Sequence, residues 1–174
     1  TIAVPGARYS FGPFEIEYLK VAHSIPESCG LAIRTSAGLV VHSGDWKLDP
    51  TPPLGWMTDE ARFRELGEEG VMALISDSTN VMRDGVSPSE ADVAAGLADL
   101  IAKAPARVAV TTFASNVARI KAVAEAAAAC GREVVVVGRA MDRVIEVARE
   151  CGMLGGLPPF RSPDSYSRLN RNKV

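Results

Sequence analysis

The sequence predicts an α/β protein in two parts: a β-rich piece over residues 1–86, then a doubly wound α/β piece with a parallel sheet over 87–174. Three observations carry this. Short β-branched runs separated by glycine fill the first part. A proline segment, Asp49-Pro-Thr-Pro-Pro53, interrupts any helix there. From residue 87, alanine-rich helical stretches alternate with valine-rich strands at a spacing that calls for parallel pairing and right-handed crossovers.

Taken in order, Glu15 to Ala22 alternates in part and reads as a strand. Leu31–Thr35 and Leu39–Ser43 form a hairpin around Ser36-Ala37-Gly38, where Gly38 supplies a positive φ. Val71–Ser76 is apolar throughout, the pattern of a strand covered on both faces. Ser87-Pro-Ser-Glu90 is a capping box with Pro at the first helical position, and a helix follows to about Ala104. Arg107–Phe113 is a strand, Asn116–Cys130 a helix stopped by Gly131, Glu133–Gly138 a buried strand, and Ala140–Cys151 a helix stopped by Gly152. From Gly155 the chain reads as an exposed connection, and Arg171–Val174 as the approach to a further strand.

Composition narrows the function. Nineteen basic and 21 acidic residues leave a net charge of −2, so no global basic field draws in nucleic acid and any such binding is local. The two histidines, His23 and His42, do not by themselves build a multi-histidine metal centre. Cys29, Cys130 and Cys151 lack CxxC spacing and read as small buried hydrophobes in a reducing cytosol. No apolar run approaches the roughly 18 residues of a membrane span. The start, Thr-Ile-Ala-Val-Pro-Gly, has no initiator Met or apolar leader and reads as that of an excised or processed segment.

The residues that can carry chemistry lie where strands end. His23 follows one strand and Asp45 another, with Gly44 letting the backbone turn before the carboxylate. Imidazole plus carboxylate suits zinc or manganese, the carboxylate being able to bridge two ions; the plain alternative is a hydrogen-bonded turn pair. Asp77 ends a strand and is followed by small polar residues. It either orients a neighbouring ligand or closes an Asx turn. Ser115 and Asn116 begin a helix whose N–H groups favour an anion such as phosphate, with Arg119 one turn in; the alternative is a cap and a solvated arginine. His42 reads as structural, and Trp46 and Trp56 as packing residues. Gly138-Arg139 is not part of a GxGxxG motif, so no dinucleotide site is read.

The runs His23-Ser-Ile-Pro-Glu-Ser28, Gly44-Asp-Trp-Lys-Leu-Asp-Pro-Thr-Pro52, Ser76-Asp-Ser-Thr-Asn80, Phe113-Ala-Ser-Asn-Val-Ala-Arg119 and Gly138-Arg-Ala-Met141 together resemble the ribonuclease J family. That family is a bacterial member of the β-CASP branch of the metallo-β-lactamase superfamily. The resemblance implies that 1–86 is the C-terminal part of a metallo-β-lactamase αββα core segment. It implies that 87–174 is the N-terminal part of a Rossmann-like β-CASP domain. It makes His23 a zinc ligand, Asp45 a catalytic aspartate bridging two metals, and Asp77 a catalytic acidic residue supporting the site. Ser115, Asn116 and Arg119 become the phosphate and RNA contacts. Ala140 departs from the pattern, standing where the family often has Ser.

The implied activity is zinc-dependent cleavage of single-stranded RNA (with Mn²⁺ or Mg²⁺ as other metals), by 5′-to-3′ exonuclease and endonuclease action. The preferred RNA is 5′-monophosphorylated and lies between the two domains. The resemblance also implies a cytoplasmic homo-oligomer away from membranes. The HxHxDH signature is expected upstream and further β-CASP motifs downstream, so this segment alone is expected to be inactive. A related metallo-hydrolase acting on DNA or another ester, and a noncatalytic α/β binding module, are the alternatives.

Overall fold

The computed structural model describes residues 3–174, which divide into two compact units, 3–89 and 90–174. The first unit is a five-stranded sheet. Its strands are β1 (Arg8–Phe11), β2 (Phe14–Lys20), β3 (Cys29–Thr35), β4 (Gly38–His42) and β5 (Val71–Ile75), side by side in chain order. The first three pairings are antiparallel and β4–β5 is parallel, reached through helix α1 (Glu60–Glu69). Strands β3 and β4 form the expected hairpin, with Thr35 opposite Gly38.

Side chains alternate across the sheet, so Glu17, Leu19 and Val21 point to one face along with Ala32, Leu39 and Val41, all buried. Helix α1 lays Phe63 and Leu66 on that face, and Leu66 has no exposed surface. Asp59 caps α1 by accepting from Arg62 N–H at 3.0 Å. Glu17 is the buried acidic side chain of this inward row. Arg62 of α1 holds it at 2.7 and 3.0 Å and Arg34 of β3 at 3.1 Å, which satisfies a carboxylate that burial alone would make costly.

Strand β1 and helix α1 were not expected from the sequence. The helix is polar apart from Phe63 and Leu66, too thin a stripe to announce a period of 3.6. The 71–76 run does form a strand, but it is not covered on both faces. As β5 it is the last strand of the sheet, and Met72, Leu74 and Ile75 are more than half exposed.

The second unit holds α2 (Glu90–Lys103), α3 (Val117–Ala129) and α4 (Arg139–Glu150). Pro88 precedes α2 by two residues instead of occupying its first turn. Gly131 and Gly152 adopt φ of +62° and +74° just past α3 and α4, the left-handed stops the sequence calls for. The expected strands 107–113 and 133–138 do not pair. Among the described residues only a single bridge, Val135 to Arg161, is formed there, and an apolar cavity of about 750 Å³ lies along both segments. A parallel sheet needs neighbouring strands within hydrogen-bonding distance, and these two line the cavity instead of meeting.

The region after Gly155 is docked rather than a loose connection. Arg107 stacks on the Tyr166 ring at 4.4 Å and donates to the carbonyls of Tyr166 and Leu169, while Arg132 donates to those of Ala104, Ala106 and Val174. Of the cysteines, Cys29 and Cys130 are half-buried, but Cys151, at the C-cap of α4, is exposed.

Candidate metal-binding edge

Strand direction assembles the site. β2 and β4 each run antiparallel to β3, and β5 runs parallel to β4, so β2, β4 and β5 all point the same way. Their C-terminal ends therefore meet at one sheet edge. His23 follows β2, Asp45 follows β4 and Asp77 follows β5.

Backbone hydrogen bonds lock the three loops together. Lys47 N–H donates to Ala22 O at 2.9 Å, setting the residues around Asp45 beside His23. Ser43 N–H donates to Ile75 O at 2.9 Å, and Asp77 N–H donates to Ser43 Oγ at 3.0 Å, fixing the loop after β5 to the loop after β4. Ser28 Oγ donates to Asp45 O at 3.3 Å. Gly44, at φ +63°, is required twice: the left-handed backbone disfavours a side chain, and a Cβ would sit 2.8 Å from Cys29 O.

The Asp77 carboxyl is held below the ordinary carboxylate range. The Thr79 hydroxyl, at 2.6 Å, is the largest cause, followed by the Thr79 N–H at 2.9 Å. Smaller contributions come from the nearby His23 ring and from the Trp46 N–H. Asp77 is thus both the Asx turn and a neighbour of His23 and of the loop carrying Asp45. His23 Nδ1 lies 3.3 Å from Ser24 Oγ. His42 is structural, its Nδ1 accepting from Gly44 N–H at 3.0 Å, and Trp56 packs with its Nε1–H on Ser28 O at 2.8 Å.

The donor types fit a zinc or manganese ion, but only as part of a ligand set. Among the described residues no three His, Cys, Asp or Glu side chains converge on one point, and a structural or catalytic zinc takes at least three protein ligands.

In the second unit, Asn116 caps α3 by accepting from Arg119 N–H at 2.9 Å. The Arg119 guanidinium is not solvated: it pairs with Glu90 of α2 at 3.0 Å. Ser115 is exposed beside them.

Sequence reasoning overlooked Asp49. It is buried between Lys47, at 3.0 Å, and Ser89 Oγ, at 2.7 Å, while its Oδ1 also accepts from Thr51 N–H. The Asp-Pro-Thr order is an Asx-turn signal for that last bond, but Ser89, the partner reached through folding, leaves no local trace.

Residues 105–174 match the family model described as ribonuclease J, beta-CASP domain. A ribonuclease J of Sinorhizobium meliloti is 55% identical across the whole chain, which spans 31% of that protein. A ribonuclease J of Corynebacterium glutamicum is 48% identical over 94% of the chain and 23% of its own length. In fold, a solved structure of a protein of unknown function from Enterococcus faecalis V583 matches 97% of the chain and 42% of its own, with a TM-score of 0.64 at 17% identity. No described helix is long and apolar enough to cross a membrane.

Proposed function

The chain belongs to the ribonuclease J family, and on that premise we propose that it supplies part of a metal-dependent site that hydrolyses RNA phosphodiester bonds. The observation that supports this most is the gathering of His23, Asp45 and Asp77 after three like-directed strands. His23 would hold a metal ion through its imidazole, and Asp45 would give its carboxylate to the same metal centre. Asp77 stays ionised, fixed by Thr79, and would orient the ligands beside it. Bound zinc would supply Lewis acidity and positive charge for phosphodiester hydrolysis.

At the start of α3, Ser115 and the peptide N–H groups seat the 5′ phosphate of the RNA, drawn by the positive end of the helix dipole. Arg119 is not a free arm there, because its charge is offset by Glu90. The segment by itself cleaves nothing, because its ligand set is partial.

The test uses a longer chain that carries this segment and single-turnover cleavage of matched RNA and DNA, each with and without a 5′ phosphate. Asp45→Ala is expected to abolish RNA cleavage. Asp77→Asn is expected to slow it by about 10- to 100-fold, as for residues that orient metal ligands. Wild-type rates in Asp45→Ala would overturn the reading; equal cleavage of DNA would move it to a broader phosphodiesterase.

A further inference from the structure

We propose that Asp49 is a positioning residue for the metal edge: it captures the ammonium of Lys47 and so keeps that cation off the Asp45 carboxylate. The proposal rests on Asp45 being a metal ligand, and it concerns residues of the first unit alone.

Lys47 is rooted at the edge. Its N–H donates to Ala22 O at 2.9 Å, one residue before His23, and its carbonyl accepts from the Thr58 hydroxyl at 2.7 Å. The same hydroxyl oxygen accepts from Ala22 N–H at 2.9 Å. The Lys47 backbone is thus held, and its flexible four-carbon stem decides where the charge goes. Asp45 lies two residues before it and Asp49 two after. At roughly 3.3 Å per extended residue, both carboxylates come within reach of one lysine stem.

Asp49 is the one that takes it. Lys47 Nζ lies 3.0 Å from Asp49 Oδ2 and donates to Pro88 O at 3.5 Å. The Asp49 side chain has no exposed surface, and its other oxygen is already fixed, accepting from Ser89 Oγ at 2.7 Å and Thr51 N–H at 3.0 Å. Those two bonds hold Oδ2 toward Lys47. An asparagine could accept both of them without the cost of burying a charge. What a carboxylate alone adds is a negative partner for Lys47. Asp45, by contrast, is exposed and follows the left-handed Gly44. A lysine released from Asp49 would compete with a divalent ion for the Asp45 oxygens, since like charges crowd around the same anion only at a cost. The buried carboxylate therefore leaves the exposed one to the metal.

The experiment measures Mn²⁺ affinity, by electron paramagnetic resonance of the free ion, in a longer chain that carries this segment. Asp49→Asn is expected to weaken Mn²⁺ binding about tenfold, the scale for residues that act behind metal ligands. Saturating Mn²⁺ is expected to return its single-turnover RNA cleavage to the wild-type rate. Adding Lys47→Met to Asp49→Asn is expected to restore Mn²⁺ affinity, because the competing cation is gone. Ser89→Ala, which loosens Asp49 but keeps its charge, is expected to leave affinity unchanged. A merely structural Asp49 gives the reverse: Ser89→Ala weakens binding, and the double variant binds no better than Asp49→Asn. Either result overturns the inference, as does wild-type affinity in Asp49→Asn. Asp45→Ala separates this from the reading it rests on. Wild-type Mn²⁺ affinity in Asp45→Ala sinks both, whereas loss there with none in Asp49→Asn sinks this inference alone. If Asp49→Asn does not fold by circular dichroism, the double variant is compared with Lys47→Met. Equal affinities then support the inference, and a gap of about tenfold overturns it.

Discussion

The two units solve the same problem to different degrees. In the first, every inner strand has two neighbours and the inward row of side chains is closed by α1, with Leu66 at its centre. In the second, buried positions lie largely in α3, with one in α2 and two in α4, while two extended segments border a cavity instead of a neighbour. Pairing of strands, more than apolar content, separates them: 133–138 is the most valine-rich run in the chain and the less satisfied for it. Unit one positions the candidate ligands because its strand ends are fixed by backbone bonds; unit two presents its helix start beside walls that lack partners.

Breaking the first unit is expected to have the largest effect. Leu66→Ala removes the side chain that seals α1 to the sheet and should cost roughly 3 kcal/mol or more, read as a lower urea midpoint for that unit. Next, Glu17→Gln leaves Arg34 and Arg62 without their buried anion and should cost roughly 3 kcal/mol. The same group sets an acid limit. Its folded pKa lies below the usual 4.5, chiefly through the Arg62 hydrogen bond. Its stabilisation is therefore complete above that value and fades as pH falls through the lower, folded one. Thermal melts between pH 6 and 3 should show this loss in the wild type and a flatter profile in Glu17→Gln.

The second unit should respond less. Asn116→Ala removes the cap of α3 and should cost about 1 kcal/mol, seen as faster exchange in its first turn. A cost equal to that of Leu66→Ala would erase the distinction between the units.

Much of this was legible in the sequence where the signal is local. The hairpin around Gly38 and the glycine stops of α3 and α4 each depend on a residue's own φ. The site was legible as strand ends, because His23, Asp45 and Asp77 each follow an apolar run. What stayed hidden depends on partners. The exposure of 71–75 follows from its place as an edge strand, and the failure of 107–113 to pair follows from the cavity beside it. The docking of the tail on Arg107 and Arg132 and the burial of Asp49 join residues far apart in sequence. Arg119 reads as a free cation until α2 brings Glu90 to it.

The most direct test of the metal edge is paramagnetic broadening by Mn²⁺ in amide NMR spectra of the chain. Broadening is predicted at His23, Asp45, Trp46 and Asp77, absent from α2 to α4, and much reduced in Asp45→Ala. Broadening spread evenly over surface carboxylates, or unchanged in Asp45→Ala, would contradict the assignment of this sheet edge as the place where the ion is held.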